Sequence, residues 1–146
     1  MIQRILVATD FSPSADEAWR WAIDLARGLK ADLRLVYVAM PIAADAPRDL
    51  VRDHERMAAR AEAMLKERAA AAALASGVKT ILRRGEPARV LTEIAHAENT
   101  DLVVVGAEHH RAGDILVGSV AERLIRLAPC PVVVVKSSKS RFNAAS

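Results

Sequence analysis

Cysteine, aromatic rings and long apolar runs are scarce in this chain, and each scarcity removes a class of protein. Cys130 is the one cysteine, so no internal disulfide staples the fold, which agrees with a reducing compartment. Aromatic residues make up 3% of the chain: Phe11, Trp19, Trp21, Tyr37 and Phe142. They are too few to form a stacking platform for single-stranded nucleic acid. No stretch approaches the roughly 20 apolar residues that cross a bilayer, so no membrane partner is expected. Met1-Ile2-Gln3-Arg4 leads straight into Ile5-Leu6-Val7 without the longer apolar region and cleavage site of a secretory signal. A cytoplasmic location is expected. The formal net charge of +3 is a matter of placement, because Lys136, Lys139 and Arg141 lie in an acid-free tail. Without those three, the 21 basic residues become 18 against 18 acidic ones. The folded body is neutral and no nucleic acid partner is expected.

What is present is a single-domain length of 146 residues with 52% apolar content, enough to bury a sizeable core. Arg4 to Ala8 is a short β-branched run that reads as a strand buried on both faces. Thr9-Asp10 ends it, and Ser12 or Ser14 can cap the next helix, with Pro13 in its first turn and Ser14 to Glu17 spaced as a capping box. Ala15, Ala18, Ala22, Leu25, Ala26 and Leu29 form that helix's stripe, with Trp19 at its edge and Trp21 outside it. Leu33 to Met40 reads as the second strand, stopped by Pro41. A long helix is expected from about Arg48 to Ser76, with Leu50, Val51, Met57, Ala58, Ala61, Met64, Leu65 and Ala72 as apolar positions and Gly77 as its end. Val78 to Leu82 is the third strand, and Pro87 opens a helix faced by Ala88, Leu91, Ile94 and Ala95.

Leu102 to Val105 is the fourth strand; it releases the chain at Gly106 into a polar loop that ends at Gly118-Ser119, where the last helix opens. Val120, Ala121, Leu124, Ile125 and Ala128 make its inward stripe, Pro129 stops it, and Pro131 to Val135 is the fifth strand. Residues 137–146 have almost nothing to bury and are expected to be disordered, leaving one folded domain over 1–136. Strands alternating with helices imply right-handed βαβ units: an α/β fold with a five-stranded parallel sheet and four helices on both faces. In such sheets the ligand crevice lies beyond the carboxyl ends of the strands, where the strand order reverses. If the first and fourth strands adjoin there, Thr9-Asp10 and the segment from Gly106 to Ser119 share one crevice.

Two helix starts could face that crevice. The first carries Asp16 and Glu17 in its opening turn, which suit its own dipole and repel a phosphate. The helix at Gly118 has Ser119, Val120 and Ala121 before its first acid, and a glycine that lets an anion approach the backbone closely. The structural alternative is that Ser119 and Glu122 close a capping box and bind nothing. Asp10 can accept from a ribose hydroxyl or hold Mg²⁺ beside a phosphate, or else order its own turn. Glu108, His109, His110 and Asp114 have metal-ligand chemistry but no spaced partner, so no metal site is assigned, and His109 is read instead as a partner to phosphate. No Ser/His/Asp or Cys/His set assembles, and Cys130 sits between Pro129 and Pro131 in a structural position. No catalytic residue is assigned and the chain is not expected to be an enzyme. A slow ATPase is the weaker reading, for want of a base.

These residues resemble the universal stress protein family over positions 2–136. Ile5-Leu6-Val7-Ala8-Thr9-Asp10 looks like its opening strand and Gly85-Glu86-Pro87-Ala88 like its third crossover. Gly118-Ser119-Val120-Ala121-Glu122-Arg123, followed by Ala128-Pro129-Cys130-Pro131-Val132, looks like its C-terminal signature. The resemblance implies an adenine-nucleotide-hydrolase-like, Rossmann-like sheet ordered 3-2-1-4-5. It also implies a homodimer joined through antiparallel fifth strands, Pro131 to Val135, and a stress-response sensor that, in one branch of the family, binds ATP or AMP. The implied nucleotide-binding set is Ala8, Thr9, Asp10, Val38, Gly106, His109, Gly118, Ser119 and Val120. Asp10 would meet the ribose or phosphates, the Val38 backbone the adenine, and Gly106, Gly118 and Ser119 the phosphates. The binding branch carries Gly, two residues, Gly, nine residues, then Gly and Ser or Thr. Here His109 stands at the second glycine's place and eight residues separate it from Gly118. The alternative is the family's other branch, a dimeric interaction module that binds no nucleotide.

Overall fold

The computed structural model describes residues 1–109 and 115–136, with backbone alone for His109, Ile115 and Leu116. The expected disorder of residues 137–146 lies outside the described residues, as does the loop 110–114 with His110, Gly113 and Asp114. Strands β1 (Arg4–Ala8), β2 (Asp32–Ala39), β3 (Val78–Arg84), β4 (Leu102–Gly106) and β7 (Val132–Val135) form one parallel sheet in the order β3-β2-β1-β4-β7. Helices α1 (Pro13–Leu29), α2 (Arg48–Ala72), α3 (Pro87–Ala97) and α4 (Ser119–Leu127) connect its strands. Two-residue strands β5 (Glu108–His109) and β6 (Ile115–Leu116) pair antiparallel between β4 and α4. Counting only the strands of the main sheet, this is the order 3-2-1-4-5.

The alternation of side chains along the central strands divides the core in two. Ile5, Val7, Leu33, Leu35, Leu102 and Val104 pack with Ala18, Trp19 and Ala22 of α1 and Leu65 of α2. Leu6, Val36, Val103 and Val105 pack on the opposite face with Leu91 and Ile94 of α3 and Ala121 and Leu124 of α4. Helices therefore cover both faces, which explains why β1 and β4 are continuous apolar runs.

Several element ends differ from expectation. α2 stops at Ala72, four residues before Ser76, because the chain has to turn before Val78 can take its place beside Leu33. Ala73 enters the left-handed region at φ 49° and Gly77 at φ 74°, two reversals where the sequence suggested one. β2 begins at Asp32 and leaves Met40 exposed, with the Met40 carbonyl accepting from Arg84. Pro131 lies outside β7, although its carbonyl accepts from the Val103 amide. Leu29 and Ile125, expected on inward stripes, and Leu50 and Met57, expected among the apolar positions of the long helix, are exposed. Leu29 is the last helical residue of α1, and Ile125 lies at the rim of a stripe centred between Ala121 and Leu124, given about 100° per helical residue. Trp19, expected at the stripe's edge, is buried.

Candidate functional site

The strand order reverses between β1 and β4, which are hydrogen-bonded neighbours with connections leaving to opposite sides. Beyond their carboxyl ends lies a cleft of about 220 Å³. Ala8, Thr9 and Asp10 line it from β1, Val36 and Val38 from β2, and Val105 and Gly106 from β4. Pro87 and Leu91 of α3 close one side, and Glu108, Val117, Gly118, Val120 and Ala121 another. The floor is therefore apolar, while its rim carries hydroxyls and carboxylates.

The turn leaving β1 is held by its own side chains. Thr9 is buried and its Oγ1 accepts from the Phe11 amide at 3.0 Å. The Asp10 Oδ1 accepts from the Ser12 amide at 3.0 Å, so the carboxylate orders the strand-to-helix turn that Asp commonly orders. Phe11 adopts φ 63°. Its ring stacks on Tyr37 at 5.2 Å and lies under the Arg68 guanidinium at 4.8 Å. Arg68 in turn grips both Asp16 oxygens, at 3.0 and 3.2 Å. Ser12 caps α1, its Oγ accepting from the Ala15 amide at 3.2 Å. The cap is Ser12, and Ser14 takes a helical position instead of opening the box expected with Glu17.

α4 begins differently. Its N-cap is Gly118 at φ 82°, and among the described residues no side chain accepts from its first amides. The expected box between Ser119 and Glu122 is not formed, because Ser119 is already helical and the Glu122 carboxylate pairs with Arg126 at 3.0 Å. Gly118, Val120 and Ala121 line the cleft, while Ser119 is exposed and lies outside the lining. His109 contributes backbone pairing with Ile115.

Gly106 lines the cleft, but packing also requires it. A Cβ there would come within 2.6 Å of the Ser14 carbonyl oxygen and 3.1 Å of the Ala15 nitrogen. The missing side chain lets the first turn of α1 lie directly on the end of β4. A Cβ on Gly118 would instead meet the Glu108 side chain, at 2.9 Å from Cδ and 3.1 Å from Oε1. Sequence reasoning grouped Glu108 with a histidine pair. The structure sets it across the β5–β6 ribbon from Leu116, over the start of α4. Among the described residues, no three His, Cys, Asp or Glu side chains gather where they could hold a metal ion. Nor, among them, is any helix long and apolar enough to cross a membrane.

Two charged clusters flank the site without lining it. Glu86 caps α3 by accepting from the Ala88 and Arg89 amides and pairs with Arg123 of α4 at 2.8 Å. Partial burial acts to raise its carboxyl pKa, but the two amides and the arginines outweigh it and hold the group below its ordinary value. At the opposite end of the sheet, Asp101 accepts from the Gln3 and Arg4 amides, and these hold its carboxyl low.

A model of the universal stress protein family matches residues 1–136. A universal stress protein of Methanocaldococcus jannaschii is 31% identical over 145 residues, covering 95% of this chain and 85% of that protein. One from Thermus aquaticus is 32% identical over 143 residues, covering 93% of this chain and all of that one. Among solved structures, the Lactobacillus plantarum universal stress protein UspA superposes with a TM-score of 0.81 at 28% identity, over 92% of this chain and 97% of its own. A universal stress protein crystallised in complex with cAMP superposes with a TM-score of 0.72 at 29% identity, over 94% of this chain and 99% of its own. A doubly wound α/β sheet is the class of fold these proteins share. The chain belongs to the universal stress protein family.

Proposed function

We propose that this protein is a stress-response sensor that binds an adenine nucleotide in the cleft at the β1/β4 switch. The observation that carries this reading is the bare start of α4. Among the described residues its leading amides donate to no side-chain cap, and they open, through Gly118, onto a cleft that also receives the ends of three strands. Free amides at the positive end of a helix dipole suit a phosphate. The apolar floor at Val36, Val38 and Leu91 suits a purine, and the hydroxyls of Thr9, Ser12 and Ser14 offer partners to a ribose. The complex of a related protein with cAMP supports the same ligand chemistry. Mg²⁺ has no part in the proposal, since the Asp10 carboxylate is engaged with its own turn.

The reading assigns no reaction. It includes a homodimer through β7, whose four valines are half-buried on a sheet edge that pairs only with β4 among the described residues. An apolar edge of this kind is a template for another strand. The test is calorimetric titration of the purified protein with AMP. Saturable binding at millimolar affinity or better is expected, and Gly118→Asp should abolish it by placing a carboxylate at the anion position. Absence of binding by the unaltered protein up to several millimolar would overturn the reading.

A further inference from the structure

Resting on that reading of the cleft, we infer that Glu108 sets the charge the cleft accepts, admitting one phosphate group and discriminating against a triphosphate. Glu108 follows Ala107, which is wholly buried, and so projects to the open side of the two-residue ribbon. Its ribbon partner Leu116 lies two residues before Gly118, and this register brings the carboxyl group over the glycine. The contact is close: the space a Gly118 Cβ would take lies 2.9 Å from the Glu108 Cδ and 3.0 Å from its Cγ. The Glu108 carboxylate thus stands beside the uncapped amides of α4, where the helix dipole favours negative charge. An arriving phosphate has to share that position or push the side chain aside.

Among the described residues the rest of the lining adds no compensation. Among the described residues around the cleft, Asp10 and Glu108 are the charged ones, and no lysine, arginine or histidine is present. The arginines on α4 are engaged elsewhere, Arg123 with Glu86 and Arg126 with Glu122. A phosphomonoester or cyclic phosphodiester brings one or two negative charges, which the free amides of one helix start can receive. A triphosphate brings two or more further charges into a space already carrying two carboxylates. Near a protein surface each additional like-charge approach of this kind weakens binding by about tenfold.

The experiment measures the affinities of adenosine, AMP and ATP, in chelator and at low salt, for the unaltered protein, Glu108→Gln and Glu108→Ala. The unaltered protein is expected to bind AMP more tightly than ATP. Both variants should improve AMP binding about tenfold and ATP binding by more than that, with adenosine changing least. Raising the salt should narrow the gap between AMP and ATP in the unaltered protein, because screening acts on exposed charges. Equal improvement of AMP and ATP, or none, would overturn the role of Glu108 while leaving the nucleotide site intact. Failure of every ligand with every protein would overturn the site itself, and this inference with it.

Discussion

The two helices that meet at the cleft begin in opposite ways. α1 is closed by its own residues: Ser12 accepts from the Ala15 amide, Asp10 accepts from the Ser12 amide, and Asp16 in the first turn is held by Arg68. α4 starts on a glycine at φ 82°, with no side chain among the described residues on its leading amides and a carboxylate brought over from a neighbouring ribbon. Both starts lie at the carboxyl end of the sheet and both contribute to the lining. What separates them is who satisfies the backbone. A helix start that supplies its own acceptors has no amides left for an anion, and one that withholds them keeps its amides and its dipole available.

The contrast is most severely tested where α1 touches β4. Gly106→Ala puts a Cβ against the backbone of Ser14, and backbone cannot swing aside as a side chain can. The expected cost is about 3 kcal/mol, read from the urea midpoint, since overpacking of this type displaces a whole element. A variant as stable as the parent would mean that α1 is not seated on β4, and that its capped start is free to move in the cleft. Ser12→Ala comes next. Removing the cap should destabilise the protein by about 1 kcal/mol in the same measurement. A drop in AMP affinity larger than that would mean that an amide at the start of α1, and not only the Ser12 hydroxyl, meets the ligand.

Much of this arrangement was legible in the residues themselves. The β-branched runs at Ile5–Val7 and Leu102–Val105, separated by helical stripes, imply a parallel sheet covered on both sides, and its two-sided core follows from their alternation. The rule that ligands gather at the carboxyl ends of such strands led to Thr9 and Asp10, the glycines led to Gly106 and Gly118, and the family resemblance added Ala8 and Val38. Contacts depending on register across a chain reversal were not legible. Glu108 reaches Gly118 only through the pairing of Glu108 with Leu116, and a two-residue ribbon leaves no periodic pattern to read. Pro87 and Leu91 were missed because an amphipathic stripe shows that a helix is buried without showing which strand ends it overhangs. Gly106 was read as a phosphate contact, while its closest neighbour is the Ser14 carbonyl oxygen, because close approach to a ligand and close approach to another helix ask for the same residue.

A third helix start supplies the smallest test. α3 is capped by a carboxylate, Glu86, where α1 uses a hydroxyl and α4, among the described residues, uses no side chain. Only the carboxylate cap titrates in acid. Glu86 has its carboxyl pKa lowered from 4.5, the amides of Arg89 and Ala88 and the charges of Arg123 and Arg89 outweighing the opposing effect of burial. A group with a depressed folded pKa adds stability that is present above its unfolded value and is lost as the pH falls through the folded value. Glu86→Gln should therefore cost about 0.5 kcal/mol at neutral pH, a modest figure because the pair with Arg123 is solvent-exposed and screened. The difference between variant and parent should shrink as the pH drops below 4.5. Glu98, held low by Lys79 and Arg34, and Asp101, held low by the Gln3 and Arg4 amides, would keep an acid transition in both proteins. A Ser12→Ala difference should stay level across the same range, since a hydroxyl cap carries no proton to lose there. If instead the Glu86→Gln difference stayed level across that range, the carboxylate of Glu86 would not be what holds the start of α3.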